Sequence, residues 1–168
     1  MERLLRRRVV GIAAAALTGL SFPAWSDEPL TVRVARLSLG TATRIATAAL
    51  HHCRAQGIQV GVTVVDRNGI VQVALRDTLA PPITLEISRG KAYAAAMFGV
   101  PTSALNDRAN TPIGRVPGVV MSAGALPVEA GGVFYGAVGV SGAPSGTTDE
   151  ACAQAGIDAV QADLEMSD

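Results

Sequence analysis

Histidine, cysteine and aromatic side chains are scarce in this 168-residue chain, and each scarcity excludes something. Cys53 and Cys152 are the only cysteines, and they lack the spacing of a zinc site. His51 and His52 are the only histidines. Adjacent positions on a helix diverge by about 100°, so the two cannot both reach one metal ion. Aromatics make up 4% of the chain, and 18 glycines and many alanines fill the apolar quota instead. Such a composition suggests close backbone packing. Charged residues are also few, at 17% against 49% hydrophobic, which excludes a disordered chain. The length suits one domain and leaves no room for two.

The first 26 residues read as a secretory signal peptide. Arg3, Arg6, Arg7 and Arg8 form a basic start, and Val9–Leu20 is apolar and uncharged. That run is too short to span a bilayer. Ala24 and Ser26 are small residues at −3 and −1 to a cut before Asp27. The string Arg6-Arg7-Arg8-Val9-Val10 also fits a twin-arginine signal loosely. The expected mature domain is therefore 27–168, in the periplasm or secreted. It keeps 10 basic and 13 acidic groups, a net charge of −3. No basic stripe remains, so nucleic acid is not an expected partner.

Periodicity gives the order of elements. Leu30–Val34 reads as a short edge strand. Ser38 caps a helix running to about Gln56, with Leu39, Ala42, Ile45, Ala46, Ala49, Leu50 and Cys53 on one stripe and Gly57 as its stop. Gln59–Asp66 and Ile70–Arg76 form a hairpin around Arg67-Asn68-Gly69. Ile83–Phe98 is a second helix, closed by Gly99 and Pro101. A short helical turn over Pro101–Asp107 and a loop over Asn110–Gly118 follow. Val119–Ala123, Leu126–Ala130 and Val133–Ser141 read as strands, the last two joined at Gly131-Gly132. Thr147 and Glu150 suggest a capping box for a final helix with Ala153, Ile157, Val160 and Leu164 buried. Hairpins mean antiparallel pairing. The expected fold is α/β of the α+β kind, an antiparallel sheet of about five strands covered by helices.

Two familiar motifs fail. Gly136-Ala-Val-Gly139-Val-Ser-Gly142 lacks dinucleotide-fingerprint spacing and ends a hairpin strand. Gly139-Val140-Ser141-Gly142-Ala143 approaches a nucleophile elbow but ends in alanine. Among single residues, His51 faces away from the apolar stripe and His52 lies at its flank. Either could be an ordinary surface histidine or a metal ligand. Asp66, at the end of a strand, suits the stabilisation of the following turn. Arg89 and Lys91, beside Tyr93, are either solvated charges or a carboxylate-binding pair.

Taken together, several strings resemble a known family. They are Gly61-Val-Thr-Val-Val-Asp66 with Asn68-Gly69, and Arg89-Gly-Lys91-Ala-Tyr-Ala-Ala-Ala with Phe98-Gly and Pro101-Thr102. Pro117-Gly118, Gly124-Ala-Leu-Pro127, Gly136-Ala-Val-Gly139-Val-Ser-Gly142 and Asp149-Glu150-Ala complete the set. From about Leu37 to Leu164 the chain resembles the GlcG/HbpS family, related to the C-terminal domain of PduO. Ala125 and Ala143 depart from glycines common in that family. The resemblance implies haem or a related tetrapyrrole as ligand, a homo-oligomer, and for exported members a membrane sensor partner. It leaves open a haem-degrading or redox-accessory enzyme, and a small-molecule module without haem, which the few aromatics would suit. No Cys-x-x-Cys-His string occurs, so covalent haem attachment is excluded.

The expected site places iron near His52 or an oxygen ligand, with His51 behind His52, and haem propionates on Arg89 or Lys91. Cys53, near the end of the first helix, and Cys152, near the start of the last, are expected to form a disulfide if those helices lie antiparallel on one sheet face.

Overall fold

In the computed structural model, residues 28–167 are described; the expected leader and its cut after Ser26 lie outside them. Residues 34–167 form one compact unit. Its elements run α1 (Leu39–Ala55), β1 (Gly61–Asp66), β2 (Val71–Arg76), α2 (Ile83–Phe98), β3 (Ala125–Ala130), β4 (Val133–Ser141), α3 (Gly146–Asp158) and α4 (Gln161–Glu165). Two short 3₁₀ segments, Thr102–Arg108 and Pro112–Arg115, lie between α2 and β3.

The sheet has four strands in the order β2-β1-β4-β3, all antiparallel. Each hairpin forms where the turn residues demand it. Gly69 takes φ of 76° after Asn68, and Gly131 and Gly132 take 57° and 80°, values open to glycine at little cost. Two expected strands are absent. Leu30–Val34 adopts no regular structure. Val119–Ala123 does not join the sheet but crosses α2, where the Val120 N–H donates to the Gly90 carbonyl at 3.2 Å. Met121 is buried there with Ala94 and Leu105, packed by Phe98, Val100 and Val119.

Alternation along β1 and β4 sends side chains to two different layers. Val62, Val64, Val138 and Val140 meet α1 and α3 in the larger core, with Ile45, Ala49, Ala153 and Ile157. Val65 and Ala137 face α2, where Ala92 and Ala95 meet them. The second layer is thin because its residues are small. A Cβ at Gly139 would lie 2.2 Å from the Ser88 carbonyl oxygen and 2.7 Å from the Ala92 nitrogen. The scarcity of aromatics and abundance of Gly and Ala thus let α2 rest almost directly on the strand backbone. A buried hydrogen bond of 2.8 Å between the Thr63 and Ser88 hydroxyls ties β1 to α2.

On the other face α1 and α3 pack together, and a disulfide joins Cys53 to Cys152 with Cα atoms 5.6 Å apart. Ser38 caps α1, accepting from the Thr41 N–H at 3.2 Å. The expected capping box of α3 does not form. Ser145 is the N-cap and accepts from the Thr148 N–H at 3.1 Å. Glu150 instead accepts from the Ser103 and Gly124 N–H groups, at 2.9 and 3.3 Å, and ties the 3₁₀ segment and β3 to the helix.

Candidate functional site

Two concavities on opposite sides of the sheet hold polar side chains that bear on the expected site, and a third, smaller one is lined by Arg36, Ser38, Thr41, Arg44, Tyr135 and Asp163. The first is an open groove of about 390 Å³ on the outer side of α1, lined by Thr43, Arg44, Thr47, Ala48, His51 and Ala159. Arg44 and His51 are seven residues apart, two helical turns, so they share one side of α1. Arg44 donates to Asp163 Oδ2 at 2.8 Å and to the Ala159 carbonyl at 2.9 Å. Both members of that ion pair are more than half exposed, so it is a weak tether. Ala159 enters because α3 lies alongside α1. The other histidine, His52, is exposed and lies outside this groove. Of the two histidines, the one facing away from the core is the one beside a concave surface.

The second concavity, of about 480 Å³, opens between the first half of α2 and the segment leading into α3. At its floor the Lys91 ammonium donates to Asp149 Oδ2 at 2.9 Å and to the Val140 carbonyl at 3.2 Å. Asp149 Oδ1 accepts from the Ala143 N–H at 3.0 Å. Both side chains are almost wholly buried, at 6% and 4% exposure. Burial pushes the Asp149 carboxyl above its ordinary range, against the opposing pull of Lys91.

The expected haem constellation is not assembled within one chain. Arg89 is exposed while Lys91 is buried, so they form no cationic pair. Lys91 lies with α2 on the face of the sheet opposite α1. A group whose iron sat at either histidine would not also place a propionate on Lys91. Asp66 takes the expected structural role. Its Oδ1 accepts from the Asn68 and Ile70 N–H groups, at 2.9 and 3.0 Å, and Arg36 pairs with Oδ2 at 3.3 Å. Three residues went unread in the sequence. Arg44 was marked only by its spacing from His51. Asp149 and Ser141 belong to strings noted for the family, yet neither carried a local sign of lining a cavity.

The architecture is a three-layer sandwich, with helices on both faces of an antiparallel β2-β1-β4-β3 sheet and an imidazole beside a groove on α1. The family model described as haem degrading protein HbpS-like matches residues 37–158, and the chain belongs to that family. A crystal structure of HbpS is 38% identical with a TM-score of 0.73, covering 77% of this chain and 93% of that one. Klebsiella pneumoniae ORFY, of the DUF336 family, is 25% identical with a TM-score of 0.73, covering 80% and 97%. A PduOC–haem complex is 25% identical with a TM-score of 0.68, covering 74% and 94%. Among curated proteins none matches.

Proposed function

We propose that the protein binds haem outside the cytoplasm, for storage, sensing or handling of haem and its iron. The observation that carries this reading is the family match over residues 37–158, beside similarity to a structure holding haem. The α1 groove has the residue types a haem group needs. His51 offers an imidazole for iron, Arg44 a guanidinium for a propionate, and Ala48, Ala159 and the threonine methyls an apolar surface for the ring. Bound haem supplies the redox and ligand chemistry of its iron, while these side chains hold and orient it. The groove is open, and a second copy covering it fits the expected homo-oligomer. Export rests on the leader read in residues 1–26, and a membrane sensor partner follows from the family resemblance.

Titration of the purified protein with haemin tests the reading. The expected result is a saturable Soret band that shifts in His51→Ala and is unchanged in His52→Ala. Absence of saturable binding would overturn it in favour of a module without haem. The family description favours a second reading, haem degradation, which requires biliverdin or another ring-opened product when a reductant is added in the presence of dioxygen.

A further inference from the structure

The cavity between α2 and α3 is not used by the haem reading, and it has the features of a built site. Its polar floor is the buried Lys91–Asp149 pair, and such a pair is weak evidence for stability because apolar replacements often hold a fold as well. An ammonium carries three N–H donors. Lys91 spends two of them on Asp149 and Val140, leaving the third for the cavity that it lines. Ser141, the last residue of β4, supplies a second and independent sign. It is 94% buried, lines the cavity, and its hydroxyl has no hydrogen-bond partner among the described residues. The residue is buried as a whole, and its unpaired hydroxyl is available to a group in the cavity as donor or acceptor. The first turn of the 13-residue helix α3 enters the same wall through Ser145 and Gly146, adding N–H groups and a positive dipole end. Ile83, Ile87, Ala123, Ala143 and Pro144 supply the apolar remainder.

We propose that this cavity binds the carboxylate group of a small organic acid, held by the Ser141 hydroxyl, the free N–H of Lys91 and the start of α3. The apolar body of the acid lies against Ile83 and Ile87. The site is separate from the α1 groove and does not depend on haem binding there.

An added anion next to Asp149 favours protonation of its carboxyl. The charges acting on Asp149 are Lys91 from α2, which opposes protonation, and Glu150 from α3, which assists it; β4 contributes no charged side chain. Burial already biases Asp149 toward the protonated form, so binding takes up a proton and tightens as pH falls.

Isothermal titration with benzoate at pH 5.5 and pH 7.5 tests this. The expected result is one site per chain, tighter at the lower pH, with proton uptake shown by the dependence of the heat on buffer. Ser141→Ala removes a hydroxyl that holds nothing in the fold, and weakens benzoate by at least about tenfold. Haemin also carries carboxylates. Competition by haemin but not by its dimethyl ester assigns the site to a propionate, and competition by neither assigns it to a free acid. No benzoate binding at either pH, or binding indifferent to Ser141→Ala, overturns the proposal and leaves the haem reading untouched.

Discussion

Two buried carboxylates respond to acid in opposite senses. Arg54 binds Asp77 through two hydrogen bonds of 2.9 Å, and this holds the Asp77 carboxyl below its ordinary value of 3.8. A lowered value stabilises the fold above 3.8 and loses that contribution as pH falls through the folded value. Asp149 is raised, so its contribution is present below 3.8 and is lost as pH rises through the folded value. Acid unfolding below about pH 4 should therefore be less steep in Asp77→Asn, as stability against urea at stepped pH would show. Lys91→Met tests the buried pair. It leaves Asp149 without its cation and should cost about 3–5 kcal/mol, and adding Asp149→Leu should return much of that. Chemical denaturation of the single and double variants measures both. The Lys91–Asp149 pair was hidden in the sequence because its members stand 58 residues apart. Asp66 was legible because its partners are two and four residues away.

Elements show the same division between local and distant causes. Helices α1 and α2 and both hairpins were readable, since caps, glycine stops and the Asn68-Gly69 turn act within a few residues. Val119–Ala123 misled because its apolar side chains are buried for another reason, as a strap packed on α2 rather than as a strand. Glu150 resembled a capping-box residue by spacing alone, while Ser145 took the cap and freed Glu150 for distant N–H groups. The contact between α2 and the sheet yields a sharp prediction. Gly139→Ala places a methyl against the Ser88 and Ala92 backbone, where neither neighbour is a flexible side-chain tip. Overpacking of this kind costs about 1–3 kcal/mol, read as a lowered midpoint of thermal or urea unfolding. Ala143 sits beside the second cavity, so the methyl there lines a wall instead of opposing a backbone.

For the whole molecule, the sequence conveyed the class of fold and the family, but it did not convey how the site residues divide between the two faces. That division follows from strand alternation and from which helix covers which face, neither of which acts over a short window. The disulfide spans 99 residues and belongs to this scale. In the chain-entropy account a loop of that length contributes about 4–5 kcal/mol, so reduced protein or Cys53→Ser with Cys152→Ser should unfold at correspondingly lower urea.

The same bond has a topological consequence. Between Cys53 and Cys152 the chain traverses both hairpins, α2 and the largely exposed stretch 106–118, so these form a covalent ring closed at the α1–α3 contact. A protease that cuts once within 106–118 opens the ring and releases nothing. The nicked protein should run as one species without reductant and as two fragments with it, and the two pieces stay tethered beside the strands they must pair with. A single surface cut, which would divide an unbridged chain in two, leaves this one covalently whole.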